Sequence, residues 1–372
     1  MNENTAGLRG QVAGKTAICT VSAQGHSGLN YYGYDIRELA DQCIFEEVAY
    51  LLLEGELPNQ QQLDSFLTRL HQHRSLPVAL KEVLERIPAS THPMDVLRTG
   101  VSFLGNLESE SGFENQKTTA CRLLAILPAI VTYWYRFSHQ NIRLETETDS
   151  KTIGGHFLNL LTGDKPGELH EKVMNVSLIL YAEHEFNAST FSARVCASTL
   201  SDIHSCITAA IGTLRGPLHG GANEAAMEMI ESWPSADVAE SNILNLLSQK
   251  KKIMGFGHAV YRESDPRNGI IKDWAKKLAE EAADSVLYPV SVRCEEVMWR
   301  EKKLFCNADF FHAAAYHFMG IPTKLFTPIF VLSRTAGWCA HVFEQRADNR
   351  IIRPNAEYIG PAPRSVPALG QR

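Results

Sequence analysis

Four segments of this 372-residue sequence place histidine, aspartate and arginine beside glycine, a combination that a helical core does not need. They span residues 182–190, 215–224, 254–267 and 307–311. Imidazole and carboxylate groups can donate or accept protons, and guanidinium groups bind carboxylates and phosphates. The segments are therefore the candidates for a site that carries out chemistry.

The strongest candidates for proton chemistry are two histidines and one aspartate. His219 lies in the sequence GPLHGGANE and His258 in GFGHAVYR. Both turns leave the backbone open, and the first leads into a predicted helix whose N-terminus would favour negative charge. Asp309 precedes two phenylalanines, and partly apolar surroundings would raise its basicity. The three side chains could supply hydrogen-bond donors and a base, although any one of them on its own would more often be a capping or packing residue.

Other site types lack motif support. The P-loop pattern GxxxxGK[ST] is absent. His184-Glu185 begins like the zinc motif HExxH, but position 188 is Ala188. None of the 14 histidines forms an i, i+4 pair, so the sequence gives only weak support for a metal site.

Taken together, the segments resemble the citrate synthase family. GPLHGGANE is similar to the first histidine motif of that family, and GFGHAVYR with Asp265-Pro266-Arg267 is similar to the second. Residues 307–311, NADFF, are similar to its aspartate motif. The resemblance runs from about residue 8 to about residue 361, so it covers nearly the whole chain.

Two stretches are most similar to the 2-methylcitrate synthase subgroup, namely LILYAEHEFNAST at 178–190 and FEQRADN with IIRP between 343 and 354. Many citrate synthases carry His-Ala-Asp-His-Glu where this chain has Tyr-Ala-Glu-His-Glu at 181–185. Tyr32 departs from the family pattern, in which Arg is usual. Whether the role of that arginine, in CoA contact, is lost or moved stays open.

The resemblance implies that propionyl-CoA condenses with oxaloacetate and water to give 2-methylcitrate and CoA, with some acetyl-CoA activity. It implies that Asp309 is the base that removes the α-proton. It implies that His219 donates to the thioester oxygen and that His258 polarises the oxaloacetate carbonyl. It also implies no metal and no permanently bound cofactor.

The resemblance further assigns the binding residues. Oxaloacetate is a dianion, and guanidinium groups pair with carboxylates in a bidentate fork. Arg353 would reach the site of the partner subunit, which implies an obligate homodimer, although Arg334 and Arg353 could instead form surface ion pairs. The residues implied for oxaloacetate are His184, Arg267, Arg334 and Arg353, and those for CoA are Arg262 with Ile253, Met254, Gly255, Phe256 and Gly257.

Three alternatives remain open. A citrate synthase acting mainly on acetyl-CoA differs by one substrate methylene, which a pocket discriminates by about 1–3 kcal/mol. A non-catalytic relative could bind CoA or oxaloacetate without turnover. A purely structural helical dimer would bind neither ligand. The complete set of two histidines and one aspartate favours an enzyme over the last two.

Helical periodicity dominates the sequence and predicts an all-α fold with minor β structure near the N-terminus. The resemblance implies that this fold is citrate synthase-like. One helix is predicted from a capping box at 35–38 to a stop at Gly55, another over 193–214, and a strand over 16–22. Breaks at 216–221 and 320–322 predict a small helical domain, residues 221–324, inserted into a large domain of residues 1–220 and 325–372. Closure of the two would expel water from the site.

The composition of the chain indicates which binding partners and which cellular compartment to expect. The chain has 42 acidic and 36 basic residues, and its net charge of −6 without a basic tail argues against a nucleic-acid partner. Charge alone also argues weakly against anionic ligands. The apolar stretch 123–131 is too short for a bilayer, which needs roughly 20 residues, so it predicts a core helix. The N-terminus lacks a signal or transit pattern, and eight dispersed cysteines are expected as free thiols, which predicts a cytoplasmic protein with no membrane partner.

Overall fold

The computed structural model describes Leu8, residues 11–22 and residues 28–372. The first seven residues, on which the predicted absence of a leader rests, lie outside this part. Across the described residues, sixteen α-helices and one small sheet form the regular structure, which confirms the all-α prediction with minor β structure. The helices are α1 Ile36–Gln42, α2 Phe45–Glu54, α3 Gln60–Gln72, α4 Val78–Glu85, α5 Pro93–Leu107, α6 Gln116–Gln140, α7 Ile153–Thr162, α8 Glu168–Tyr181, α9 Ala188–Ser198, α10 Ile203–Leu214, α11 Ala222–Ile230, α12 Ala236–Ser248, α13 Pro266–Glu281, α14 Leu287–Lys302, α15 Ala308–Phe318 and α16 Phe326–Ala347.

The sheet is antiparallel and precedes the helices. It consists of β1 Cys19–Val21, β2 Leu29–Tyr31 and β3 Tyr34–Asp35 in sequence order. Residue pairs Cys19–Tyr31 and Tyr31–Tyr34 set its register. β1 lies within the predicted strand 16–22.

Two long apolar helices form the centre of the large packing unit. The 25-residue α6 contains the apolar stretch 123–131, all of which is buried, so the predicted core helix is confirmed. The 22-residue α16 is buried along almost its whole length and packs against α2, α5, α6, α8, α9 and α10. Across the part of the chain that the structure describes, no helix combines the length and the apolar character needed to cross a membrane.

The single helix predicted from residue 35 to Gly55 is wrong, because the chain breaks between α1 and α2. Cys43 and Ile44 both have extended backbone conformations. The break is stabilised from a distant helix: Asn175 accepts from the Phe45 N–H at 2.6 Å and donates to the Cys43 carbonyl at 3.3 Å. The Glu47 carboxylate also accepts from the Ile44 N–H at 2.7 Å.

The helix predicted over 193–214 is also two helices, α9 and α10. Asp202 caps the start of α10 by accepting from the Ser205 N–H at 2.9 Å. Leu200 adopts a positive φ of 63°, which reverses the chain between the helices. Aspartate is a preferred N-cap, so this boundary was readable from the sequence.

Helices α11–α15 cover most of the predicted small domain and pack on one another. α13 and α11 both contact α15, and α12 contacts α14. This group meets the rest of the chain where α13 contacts α1 and α8, and where α11 contacts α16. The site lies along this boundary.

Candidate functional site

A cavity of about 1220 Å³ brings together residues from all four candidate segments. Twelve of the thirteen predicted site residues line it, although they are up to 150 positions apart in the sequence. They are His184, His219, Ile253, Met254, Gly255, Phe256, Gly257, His258, Arg262, Arg267, Asp309 and Arg334.

Arg353 is the predicted site residue that does not line this cavity. It lies in the exposed segment after α16, where its Nη1 donates to Asn355 Oδ1 at 2.8 Å. Its assignment to the site of a partner subunit stays a prediction. Tyr32 also lies outside the cavity lining. Its ring packs near Gly55, where an added Cβ would lie 3.9 Å from it.

The first turns of four helices line the cavity. First-turn residues Ala188 of α9, Ala222 of α11, Arg267 of α13 and Asp309 of α15 all line it. Capping side chains already accept from first-turn N–H groups of α9, α13 and α15. What these helix starts contribute to the cavity is the partial positive charge of the helix dipole, which favours a negative group nearby.

A backbone pairing joins the two loops that carry His258 and Asp309. The Gly257 N–H donates to the Phe305 carbonyl at 2.8 Å, and the Asn307 N–H donates to the Gly255 carbonyl at 3.0 Å. Gly255 has a φ of 85°, and a Cβ there would lie 2.7 Å from the Phe310 ring. Glycine is thus required for this close approach.

His219 lies in the loop before α11 and is held by α9. Its Nε2 accepts from the Ser189 N–H at 3.2 Å and lies 2.8 Å from Ser189 Oγ. Burial, with a smaller contribution from Arg334, lowers the pKa of His219 to about 4. The ring is therefore neutral at pH 7, and the acceptor role of Nε2 places its proton on Nδ1. His219 can donate one hydrogen bond from Nδ1.

His258 presents the opposite nitrogen. Its Nδ1 accepts from the N–H groups of Val260 and Tyr261 at 3.1 and 3.3 Å, which leaves the proton on Nε2. Burial, assisted by Arg267, lowers the pKa of His258 to about 4. The neighbouring His184 is also neutral, because burial holds its pKa well below the usual range. The His184 and His258 rings lie 5.1 Å apart.

Arg267 is a buried cation with a built-in partner. Its Nε and Nη2 donate to Asp265 Oδ1 and Oδ2 at 2.9 and 2.7 Å. Asp265 also caps α13 and accepts from the Ala308 N–H at 3.1 Å. One carboxylate therefore fixes the guanidinium and joins the starts of α13 and α15.

Arg334 is a second buried cation, on α16, with 1% of its surface exposed. Its Nε donates to the Tyr181 carbonyl at 2.6 Å, and its guanidinium carbon lies 4.7 Å from the centre of the Phe330 ring. Burial lowers its pKa, while the charge of Glu183 opposes that change. Arg334 is therefore not the surface ion pair that the sequence left open for it.

Asp309 lies in the first turn of α15, below the cap formed by Asn307. The Tyr181 hydroxyl donates to Asp309 Oδ1 at 2.6 Å. Burial raises the pKa of the Asp309 carboxyl, although Tyr181 and Arg267 oppose that rise. The group thus has a more basic carboxylate than an exposed aspartate, as the two following phenylalanines predicted.

Sequence reasoning assigned no role to several partners of these groups. The motifs quoted from the sequence contain four of these partners, namely Tyr181, Ser189, Tyr261 and Asp265. Their position inside those motifs was the only indication in the sequence that they belong to the site. Tyr261 contacts His184 Nε2 at 3.1 Å through its hydroxyl. Lys252 also lines the cavity, and its place beside the 253–257 loop was the available signal.

The structure offers no alternative metal centre within its described residues, since no group of three or more His, Cys, Asp or Glu side chains could hold an ion there. All eight cysteines are free thiols. His184, which begins the failed HExxH pattern, contacts a tyrosine and a second histidine rather than a ligand cluster.

Comparisons with known proteins extend over the whole chain. Residues 7–355 match the family model described as citrate synthase, C-terminal domain. The 2-methylcitrate synthase of Shewanella oneidensis is 65% identical over 99% of this chain and 98% of that protein, and citrate synthase 2 of Bacillus subtilis is 43% identical over 96% of each. The solved ternary complex of carboxymethyl coenzyme A and oxaloacetate with citrate synthase from Thermoplasma acidophilum has a TM-score of 0.93 at 31% identity, covering 100% of both chains.

Proposed function

We propose that the chain, which belongs to the citrate synthase family, condenses propionyl-CoA with oxaloacetate and water to form 2-methylcitrate and CoA. As a family member it is an acyltransferase-type condensing enzyme. The observation that carries the choice of acyl group is the 65% identity to the Shewanella oneidensis 2-methylcitrate synthase over 99% of the chain. The geometry of the cavity supports the reaction class.

The first step is removal of the α-proton of the acyl-CoA by Asp309. The C–H electron pair moves into an enol or enolate, and the thioester oxygen gains negative charge. His219 Nδ1–H is the donor for that oxygen, because Nε2 is occupied by Ser189. Preorganised donors of this kind contribute about 3–4 kcal/mol to the transition state.

The second step is attack of the enol carbon on the oxaloacetate carbonyl. His258 donates from Nε2, since its Nδ1 accepts two backbone N–H bonds. A neutral imidazole that donates is consistent with a pKa of about 4. His258 then assists the water that hydrolyses the thioester and releases CoA.

The substrates are anions, and the cavity supplies cations and helix N-termini for them. His184, Arg267 and Arg334 bind oxaloacetate, and Arg353 of a second copy completes the pocket in a homodimer. Both buried guanidinium groups retain N–H groups beyond those already bonded to Asp265 and the Tyr181 carbonyl. Arg262 and the 253–257 loop bind CoA. The Thermoplasma acidophilum enzyme, solved with oxaloacetate and carboxymethyl coenzyme A, supports the choice of these two ligands.

The small domain, residues 221–324, carries His258 and Asp309, and the large domain carries His184 and Arg334. The boundary between α11–α15 and the remaining helices supports a closure that brings the two groups together and expels water.

The protein acts in the cytoplasm.

Comparison of kcat/KM for propionyl-CoA and acetyl-CoA at saturating oxaloacetate tests this function. We expect a preference for propionyl-CoA with measurable acetyl-CoA turnover, because one methylene is worth only about 1–3 kcal/mol. A clear preference for acetyl-CoA would make the chain a citrate synthase, the alternative for which the 43% identity to Bacillus subtilis citrate synthase 2 is the weaker support. Turnover of neither substrate, with binding of oxaloacetate retained, would indicate a non-catalytic relative.

A further inference from the structure

Tyr181, the last residue of α8, connects the proposed base to the proposed oxaloacetate-binding arginine. Its hydroxyl donates to Asp309 Oδ1 at 2.6 Å, and its carbonyl accepts from Arg334 Nε at 2.6 Å. The side chain is 1% exposed and also lines the cavity. Tyr181, on α8, thus contacts the carboxylate of Asp309 on α15 directly.

The ring of Tyr181 has little freedom to move. It stacks on His312 at 4.1 Å and on Phe330 at 4.2 Å, with both interplanar angles at 29°. The two ring contacts therefore hold the hydroxyl in place beside Asp309 Oδ1. Burial and the neighbouring Asp309 raise the pKa of Tyr181 well above its usual value, so the phenol stays protonated and acts as a donor.

We propose that Tyr181 is the positioning residue of the proton-abstraction step: it binds Oδ1 of ionised Asp309 and leaves Oδ2 to take the α-proton. In that step the substrate C–H bond breaks, an O–H bond forms at Oδ2, and the electron pair enters the enolate whose oxygen faces His219. Tyr181 neither gains nor loses a proton. This inference rests on the proposed function, because it names a second group acting on the same base.

The charged groups around Asp309 have opposing effects on its ionisation. Burial raises its pKa and is the largest effect, followed by lowering from Tyr181 and Arg267. Asp265 raises the pKa and Arg334 lowers it, each to a smaller extent. Since Arg267 is already paired with Asp265, Tyr181 is the neighbour that donates directly to the carboxylate. Loss of the hydroxyl should therefore raise the pKa of Asp309.

Tyr181→Phe tests the proposal, because phenylalanine keeps both ring contacts and removes only the donor. We expect the acid limb of the kcat/KM profile for propionyl-CoA to move up by about one pH unit. We also expect kcat above that limb to fall about tenfold, because the carboxylate is less well oriented, with little change in the KM for oxaloacetate. A purely structural role would lower the melting temperature without moving the limb.

Tyr316→Phe is the matched control. Tyr316 is another fully buried tyrosine, on α15 itself, and its hydroxyl contacts Ser177 at 2.5 Å rather than Asp309. The control should leave the acid limb where it is. An equal shift in both variants, or no shift in Tyr181→Phe, would overturn the proposal.

A second variant and a second readout keep the test decisive. Site-specific 3-fluorotyrosine at Tyr181 preserves the shape and strengthens the donor, so the limb should move to lower pH. Carbon-13 NMR of carboxyl-labelled aspartate, with the Asp309 signal assigned by its loss in Asp309→Asn, reads the same pKa without turnover. Equal Asp309 titration in the parent and Tyr181→Phe proteins refutes the contact. Absence of acyl-CoA turnover in the parent refutes only the proposed function.

Discussion

Asp265→Asn should strongly destabilise the protein, because it removes one partner of a buried ion pair. The Asp265 side chain is fully buried and that of Arg267 is 6% exposed. The carboxylate accepts both guanidinium bonds, at 2.9 and 2.7 Å, and two backbone N–H bonds at 3.1 Å each. Breaking such a pair by removing one charge typically costs about 3–5 kcal/mol, since the remaining charge stays buried.

Urea unfolding of the ligand-free protein measures this loss. Asp273→Asn is the matched control, because Asp273 is an exposed aspartate on the same helix α13 and should change stability by less than about 0.5 kcal/mol. The double variant Asp265→Leu with Arg267→Met removes both charges and should recover much of the lost stability. A loss below about 1 kcal/mol in Asp265→Asn would refute the view that this carboxylate is what keeps Arg267 buried.

The same variant tests the role of Arg267 in binding. If oxaloacetate pairs with this guanidinium, its negative charge should replace part of what Asp265→Asn removes. Oxaloacetate should then raise the melting temperature of the variant more than that of the parent protein, by binding linkage. An equal or smaller shift would contradict the assignment of Arg267 to the oxaloacetate site.

Two further substitutions probe other contacts. Ser189→Ala should lower kcat about tenfold, because His219 keeps the backbone N–H at 3.2 Å but loses the hydroxyl at 2.8 Å. An unchanged kcat in steady-state kinetics would contradict this expectation. Glu46→Gln concerns stability: burial raises the pKa of Glu46 to about 7, so the folded state binds a proton that the unfolded state releases above its usual value of 4.5. The free energy of unfolding of the parent should therefore fall by on the order of 3 kcal/mol as pH rises from about 4.5 to 7. The glutamine variant retains an acceptor for the Ile153 N–H. Urea titrations of this variant should show a flatter dependence of stability on pH.

The reacting groups were predictable from the sequence because glycine, histidine and aspartate occur there in a pattern that core packing does not require. Their hydrogen-bond partners were not. Tyr181 is 128 positions from Asp309, and Ser189 is 30 positions from His219. Nothing local to Asp309 indicates which distant hydroxyl will lie 2.6 Å from its carboxylate. Periodicity predicts which face of α8 is buried, but not what its last residue meets.

The same limit explains the break between α1 and α2. The apolar spacing from Ile36 to Val48 fits one continuous helix, and local propensity gives no reason to interrupt it. The interruption is stabilised by Asn175, whose amide satisfies backbone groups on both sides of the gap. A tertiary contact thus overrides a local pattern. The break between α9 and α10, by contrast, carries its own cap in Asp202.

Net charge is a poor guide to what this cavity binds. The chain carries −6 overall, yet the cavity is lined by the buried residues Arg267 and Arg334 and by the first turns of four helices. Surface carboxylates act through water and salt and are screened over about 10 Å, whereas buried cations act at short range in a less polar medium. The net charge of the chain therefore does not decide whether this cavity can hold an anion. Burial, reinforced by nearby guanidinium charge, lowers the pKa of His184, His219 and His258 and holds them neutral, as donors of hydrogen bonds rather than cations.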